Sequence, residues 1–393
     1  MIIEPRIRDN VCLNAHPLGC AAQVNEQIAY VRSHGFLDSP KRVLVVGASN
    51  GYGLAARIVS AFASGAATLG VSYERPGRGK RTASAGWYNN EAFKQQADIE
   101  GLESWDINGD AFSQEIKQEV LEGIKANLGQ IDLLVYSLAS PRRTDPQTGE
   151  LYTSVIKPIG APYTSKSIDF LTGDVFEMTM QPATDREVEH TVKVMGGEDW
   201  SLWIQNLLEA GALADGFTTY SLSYIGPECT RPIYRDGTIG HAKIHLEQTA
   251  DDLKTMLEPI GGQAWISVNK ALVTRASAVI PAVPLYISLL YRVMKAKGLH
   301  EDCIRQMDRL YRDFLYNPSG ESVSTDEKGR IRLDDWEMRS DVQQEITQLW
   351  DIISSENVEQ LADVEGFRKE FLQYHGFDMP GVDYTQDVAV DVC

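Results

Sequence analysis

Arg42-Val43-Leu44-Val45-Val46-Gly47-Ala48-Ser49-Asn50-Gly51-Tyr52-Gly53 decides how this chain folds. Val43 to Val46 form a short apolar run, as expected of a strand buried on both faces. The run breaks into glycines and then into Leu54-Ala55-Ala56-Arg57-Ile58-Val59, a small-residue helix. A parallel strand that feeds a helix in this way leaves the first N–H groups of the helix unpaired, at the positive end of its dipole. Such a terminus suits a pyrophosphate. The spacing is G-x-x-x-G-x-G rather than the commoner G-x-G-x-x-G. The physical demands are the same. Gly47 lets the chain turn, Gly51 lets backbone approach phosphate, and Gly53 lets the helix pack closely on the sheet. A tight turn without ligand would also satisfy the glycines. The strand before, the helix after and an acid downstream favour a nucleotide.

Outward from this stretch, residues 24–34 read as a short amphipathic helix, and the helix after the glycines runs to about Ser64. Thr68 to Tyr73 form a second strand that ends at Glu74. Glu74 lies about twenty residues past Gly53, where an acid takes the ribose hydroxyls of NAD and repels the 2′-phosphate of NADP. Arg75 could bind that phosphate instead, but the acid comes first and NADH is the expected cofactor. Residues 75–90, beginning Arg75-Pro76-Gly77-Arg78-Gly79-Lys80-Arg81, make a basic, turn-rich loop that could attract phosphates of a cofactor or acyl carrier, or simply be solvated. Asp106 and Asp110 follow a short third strand, where acids meet an adenine or its ribose. A helix over 111–128 leads to the strand Ile131 to Ser140. This alternation predicts an α/β fold, a doubly wound parallel sheet of Rossmann-like type.

Residues 141–200 break the rhythm. They are rich in Pro, Thr and Gly and read as a large insertion, with a hairpin near 151–157 and 167–178. Helix returns over 198–213, strand over 217–225, helix over 239–257 and strand over 264–268. The last hundred residues read as a helical C-terminal extension with a polar hairpin-like piece at 320–333. The expected organisation is one domain over 1–393. Residues 42–140 form the NADH-binding core, 141–200 the insertion, 217–277 the catalytic segment and 278–393 the acyl-pocket segment and extension.

The chain has 393 residues, and its 43% hydrophobic and 23% charged content is that of an ordinary globular protein. A net charge of −18 argues against a nucleic-acid partner, which needs a basic face. Cys12, Cys20, Cys229, Cys303 and Cys393 are scattered, which disfavours a disulfide framework or structural zinc and fits a cytoplasmic protein. The start, Met1-Ile2-Ile3-Glu4-Pro5-Arg6, has no apolar core for a signal peptide. The most apolar stretch, 276–294, carries Pro281 and Pro284 and is short for a membrane span.

A hydride-transfer site needs a donor that polarises the substrate carbonyl. A tyrosine can do this, with a lysine lowering its pKa and holding the nicotinamide ribose. Short-chain dehydrogenases use Tyr-x-x-x-Lys, and one copy exists, Tyr291 to Lys295. It follows the 264–268 strand, whereas the topology requires the pair to precede it, and Tyr291 sits in an apolar helix. The better pair is Tyr234 and Lys243, between the two late strands, with a turn through Gly237 bringing them together. Spacing alone does not separate this pair from two unrelated residues.

Tyr-x8-Lys at this place, Gly-Ala-Ser-Asn-Gly-Tyr-Gly after the first strand, Ser137-Leu138-Ala139-Ser140-Pro141-Arg142-Arg143, Val194-Met195-Gly196-Gly197-Glu198-Asp199-Trp200 and Leu272-Val273-Thr274-Arg275-Ala276-Ser277 together resemble one family. It is the trans-2-enoyl-CoA reductases, with the type V enoyl-acyl-carrier-protein reductases, and the resemblance spans essentially the whole chain. It implies NADH-dependent reduction of an enoyl thioester, with Tyr234 as proton donor, Lys243 at the NADH ribose and Tyr224 on the thioester carbonyl. Gly47, Ala48, Ser49, Asn50, Gly51, Tyr52, Tyr73, Glu74, Asp110, Ala111, Leu138, Ala139, Leu272, Val273 and Thr274 would surround the cofactor. It also implies a monomer, and favours Asp110 over Asp106. The Tyr-Ser-Tyr-Ile-Gly-Pro and Val-Thr-Arg-Ala-Ser segments look nearer the CoA enzymes, with acyl carrier protein as the other carrier.

Ala278 to Ile287 follow the Thr274 loop and are expected to wall the acyl chain and move as a lid; plain core packing explains most of them equally well. His241 and His245 have metal-pair spacing, but no third ligand lies nearby, so no metal is expected. There is no G-x-S-x-G elbow. Two other activities fit the same residues: a hydroxyacyl-thioester dehydrogenase, and a protein that binds NADH without turnover.

Overall fold

The computed structural model describes every residue except Asp9, Arg275, Ala276, Ala278, Val279 and 391–393. A seven-stranded sheet runs through its centre: β1 (Arg42–Val46), β2 (Ala67–Ser72), β3 (Ser104–Asn108), β4 (Ile131–Tyr136), β5 (Leu213–Ser223), β6 (Gln263–Val268) and β7 (Arg330–Arg332). Their order across the sheet is β7-β6-β5-β4-β1-β2-β3. Every neighbouring pair is parallel. The winding reverses between β1 and β4, which opens a crevice beyond their C-terminal ends.

Strand β1 shows why the sheet is covered on both sides. Val43 and Val45 point into one core and Leu44 and Val46 into another, all four fully buried. The twelve α-helices among the described residues are α1 (Pro17–Ser33), α2 (Gly51–Ser64), α3 (Ala85–Ile99), α4 (Gln114–Gly123), α5 (Asp185–Met195), α6 (Glu198–Glu209), α7 (Thr238–Leu257), α8 (Val283–Ala296), α9 (Cys303–Arg309), α10 (Ser340–Ile352), α11 (Val358–Leu361) and α12 (Val364–Gln373). Helices α1, α2 and α9 share the first core, and α4, α6 and α7 the second. A third core gathers α8, α10 and α12 with Tyr234 and Leu272. Among the described residues no helix is long and apolar enough to cross a membrane.

Several expectations need correction. Helix α1 starts at Pro17, not near 24, because Pro17 sits in its first turn and the His16 ring accepts from Gly19 N–H. The helix expected over 198–213 stops at Glu209, and Gly211 turns the chain with φ +65° into β5. The insertion holds two local hairpins, 142–144 with 151–153 and 163–169 with 174–180, followed by α5. Short-range turn chemistry wins over the longer pairing. Asp145 Oδ1 accepts from the N–H groups of Gln147 and Thr148, and Asp169 Oδ1 from that of Leu171. The C-terminal extension is not purely helical either. Residues 330–332, expected in a hairpin, are the seventh parallel strand, and Arg330 anchors it to Glu247 of α7 at 3.0 Å.

Candidate active site

The glycine turn has little freedom. Gly47 has φ +93°, and a Cβ there would lie 2.3 Å from the Ser137 carbonyl oxygen. At Gly53 a Cβ would lie 2.0 Å from the Gly47 oxygen. Gly51, by contrast, faces open space. Asn50 stands at the N-cap of α2 but makes no side-chain cap bond, so the first N–H groups of the helix have no side-chain acceptor there. The Asn50 amide instead donates to Glu74 Oε1 at 3.2 Å and its oxygen accepts from Asn89 at 2.9 Å. Ser49 Oγ donates to the same Glu74 oxygen at 2.7 Å. The acid at the end of β2 is thereby tied to the turn at the end of β1. A cleft of about 350 Å³ opens beside Asn50, Gly51, Leu272 and Val273. A smaller one reaches Glu74, Arg75 and Thr274. Tyr73 stands 77% exposed beside Glu74.

The two aspartates near β3 have different lives. Asp106 pairs with Arg57 at 2.5 Å, and that guanidinium is fully buried over the Phe93 ring. A Cβ at Gly70 would strike it, which explains that glycine in β2. Asp110 is free of such a partner salt bridge among the described residues and shapes its own turn by accepting from Phe112 N–H at 3.0 Å. Lys117, buried in α4, holds this turn from behind. It donates to the Ala111 and Phe112 carbonyls and to Asp199 at 2.7 Å, while Tyr136 donates to the other Asp199 oxygen. Glu198 takes Arg143 and Lys193. The Glu198-Asp199-Trp200 motif thus fastens α6 beneath the crevice. Leu138 and Ala139 follow β4 beside Ser137, at the lip of the glycine turn.

Loop 270–274 closes the crevice from the β6 side. Tyr52 donates to the Lys270 carbonyl at 2.9 Å, and Val273 N–H donates to Tyr291 at 3.2 Å. Ser277 Oγ accepts from Thr274 N–H and donates to the Leu272 carbonyl. Tyr291, the tyrosine of the Tyr-x-x-x-Lys copy, also donates to Glu370, and Lys295 pairs with Asp363. Both have structural work to do. Arg275 and Ala276 of the loop motif, and Ala278 and Val279 of the expected lid, lie outside the described residues. Ala282 to Ile287 are buried in cores that also hold Ile233 and Tyr234.

Tyr234 and Lys243 lie on either side of Gly237, at which α7 begins. A Cβ at Gly240 would lie 1.9 Å from the Arg235 oxygen and 2.6 Å from that of Tyr234, so the Tyr234 backbone rests on the first turn of α7, one turn before Lys243. Lys243 Nζ donates to the Leu222 carbonyl of β5 at 3.0 Å. Burial lowers its pKa to about 8, opposed by Glu247. One expectation fails here. The lysine does not depress Tyr234, whose pKa is raised by burial and then by the Glu337 charge. Tyr234 is held protonated, and its hydroxyl has no hydrogen-bond partner among the described residues. Its ring meets Tyr224 edge to face, centroids 4.8 Å apart. Tyr224 donates to Glu337 at 3.1 Å. His245, which has metal-pair spacing with His241, accepts from Gly197 N–H at 3.0 Å, and no metal-binding cluster of three or more His, Cys, Asp and Glu side chains forms among the described residues.

Sequence reasoning missed Lys117, Lys270 and Glu337. Each is a lone charged residue in an unremarkable context, and nothing local to the sequence marks it as buried.

Sheet order, switch-point crevice and uncapped glycine turn define the class, a doubly wound α/β protein shaped to take a dinucleotide. Profiles for the trans-2-enoyl-CoA reductase catalytic region and for the NAD(P)H binding domain of trans-2-enoyl-CoA reductase match residues 81–316 and 2–79, and one for an enoyl reductase FAD binding domain matches 325–388. The enoyl-[acyl-carrier-protein] reductase [NADH] of Flavobacterium johnsoniae is 55% identical, covering 98% of this chain and 97% of the relative. That of Cytophaga hutchinsonii is 53% identical, covering 100% and 98%. The crystal structure of Treponema denticola trans-2-enoyl-CoA reductase in complex with NAD superposes with a TM-score of 0.96 at 50% identity, covering 99% of this chain and 98% of that one. The chain belongs to the trans-2-enoyl-CoA reductase family.

Proposed function

We infer that this chain is an oxidoreductase that reduces the trans-2 double bond of enoyl thioesters with NADH, giving the saturated acyl thioester. The observation that carries the reading is an open dinucleotide cradle at Asn50 and Gly51 in a fold that also buries Tyr234, a tyrosine held protonated whose hydroxyl has no hydrogen-bond partner among the described residues. Full-length similarity to the enoyl reductases supports it.

The uncapped first turn of α2 and the open face of Gly51 fit the pyrophosphate of NADH. Gly47 to Tyr52 would line it, Tyr73 and Glu74 the adenosine ribose side, Asp110 and Ala111 the adenine, and Leu138, Ala139 and Leu272 to Thr274 the nicotinamide half. Bound NADH supplies a hydride for C3 of the substrate. Lys243 would hold the nicotinamide ribose. As negative charge develops on the thioester oxygen, Tyr234 donates to it, an interaction that strengthens in the transition state and so lowers the barrier, and C2 of the enolate then takes up a proton to give the saturated thioester. Tyr224 packs against Tyr234 and would contact the thioester from the other side. Residues Ala282 to Ile287 would wall the acyl chain. The residues of 325–388 do not fit a flavin. Of its four glycines only Gly381 faces open space, too little for a phosphate cradle: Gly329 N–H is taken by the Asp326 carbonyl at 2.9 Å, Gly366 N–H by the Asp363 cap at 2.9 Å, and Gly376 packs against His16 and Cys20. No step is assigned to FAD.

We read 1–393 as one reductase unit, because β7 from the C-terminal segment completes the sheet begun at β1. CoA and acyl carrier protein are both candidate carriers. The test is consumption of NADH and NADPH with crotonyl-CoA and with an enoyl-acyl carrier protein. NADH oxidation with an enoyl thioester is expected. Oxidation only with 3-ketoacyl thioesters, or binding without turnover, would overturn the reading.

A further inference from the structure

Glu337 is a carboxylate that the reaction above does not use, yet it is fully buried at the centre of the site. It comes from the segment just beyond β7, far in sequence from the glycine turn. Its two oxygens accept three hydrogen bonds. Oε1 accepts from Tyr224 at 3.1 Å and from Tyr286 at 2.7 Å. Oε2 accepts from Ala271 N–H at 2.7 Å. Gln343 fixes the surroundings, donating to the Tyr286 hydroxyl at 3.1 Å and to the Glu337 carbonyl at 2.7 Å. Lys270, also buried, is the nearby cation that offsets the desolvation of Glu337. A buried carboxylate needs donors and charge to offset its desolvation; here Lys270, Ala271 N–H and Tyr286 oppose it, and burial still holds the Glu337 pKa above the usual carboxylate value.

The proton count around Tyr224 is informative. A phenol has one proton, and that of Tyr224 lies toward Glu337. Tyr224 therefore offers a fixed ring and oxygen lone pairs to its other side, and Tyr234 keeps the free proton. The second link runs to the cofactor side. Ala271 begins the stretch whose next residues, Leu272 and Val273, line the main cleft. One carboxylate thus fastens two parts of the site that come from β5 and β6.

We propose that Glu337 is a positioning residue: it locks Tyr224 against Tyr234 and ties that pair to the loop carrying Leu272, Val273 and Thr274. The proposal rests on the reading that Tyr234 and Tyr224 face the thioester. It predicts that Glu337 acts on the rate through the Tyr224 hydroxyl.

The test is a double-mutant cycle on the full chain, following NADH oxidation with crotonyl-CoA and counting active sites by NADH binding. Glu337→Gln in the wild-type background is expected to lower kcat about 10- to 100-fold, the worth of one hydrogen bond to a charged group. In the Tyr224→Phe background the same change is expected to cost at least about threefold less, because the Tyr224 contact is already gone and only the ties to Ala271 and Tyr286 remain to be lost. Should Glu337→Gln fail to fold, Glu337→Asp, which keeps the charge but withdraws from Tyr224, replaces it in the same cycle. An equal loss in both backgrounds, or no loss in the wild type, overturns the proposal. A wild-type chain that reduces no enoyl thioester overturns instead the reading on which it rests, and the proposal with it.

Discussion

The rings of Tyr224 and Tyr234 stand at 90° with centroids 4.8 Å apart. Edge-to-face contact of this kind is favourable beyond the area it buries, and it gives the two hydroxyls different company. That of Tyr224 is spent on Glu337, while that of Tyr234 is held protonated by burial and has no hydrogen-bond partner among the described residues. Tyr234→Phe should therefore lower kcat with crotonyl-CoA about 100- to 1,000-fold, as loss of an oxyanion donor does elsewhere. NADH binding, read by fluorescence titration, should change little. Wild-type kcat in the phenylalanine variant would rule Tyr234 out as the donor.

Lys243 sets a pH limit. Its folded pKa is lowered from the usual 10.5 to about 8 by burial. The cation is lost as pH rises through about 8, and kcat/KM of the free enzyme should fall over the same range. Lys270 is lowered to about 8 as well, so the assignment needs Lys243→Arg, which should move the limb to higher pH. Stability runs the other way. Between about 8 and 10.5 the unfolded chain holds more protons at this site than the folded one, so the contribution of Lys243 to stability improves as pH rises across that window.

Gly51 and Gly53 separate ligand binding from folding. A Cβ at Gly53 would lie 2.0 Å from backbone, so Gly53→Ala should destabilise the chain severely. Gly51→Ala meets nothing within 4 Å and carries only the strain of φ +53°, about 1 kcal/mol. It should fold, seen by its urea midpoint, yet bind NADH at least tenfold more weakly because the new methyl intrudes where phosphate approaches. Unchanged NADH affinity would place the pyrophosphate elsewhere.

Glu74 is held by Ser49 and Asn50 beside Arg75. Glu74→Ala should raise kcat/KM with NADPH about tenfold or more and lower it with NADH. Steady-state kinetics with both cofactors reads this directly. An unchanged ratio would mean that the carboxylate serves only to brace the turn.

Asp106 and Asp110 make a matched pair for stability. Asp106→Ala leaves the Arg57 guanidinium buried without its counter-charge and should cost about 3 kcal/mol or more in urea unfolding. Asp110→Ala should leave stability within about 1 kcal/mol and weaken NADH binding.

The sheet and its winding were legible because β1, β2, β4 and β6 are apolar runs whose neighbours supply helix signals of the right length. The cradle was legible for the same reason: Gly47 and Gly53 satisfy steric demands set within a few residues of themselves. Tyr234 and Lys243 were singled out through a family resemblance, since the approach of Gly240 to the Tyr234 carbonyl is visible only in the fold. Glu337 and Lys117 were invisible. Their burial depends on partners sixty or more residues away, Tyr224 and Asp199 among them, and no local pattern encodes such a meeting. The strand at 330–332 was hidden by its three polar-flanked residues, which pair with β6 only because Arg330 finds Glu247.

The lateness of β7 and Glu337 matters while the chain is being made. Six strands have left the ribosome once Val268 emerges, but the edge of β6 waits for residues 330–332 to cover it. At ~5–20 residues per second, roughly 3 to 14 s separate Val268 from Glu337. During that interval the growing protein offers an unpaired strand edge to its neighbours, a known route to aggregation. It also lacks the carboxylate that fastens Tyr224. Ribosome stalling or premature termination in this window should therefore yield sticky, inactive fragments rather than a slow enzyme, and residues 269–337 are where a truncation would do the most harm to solubility.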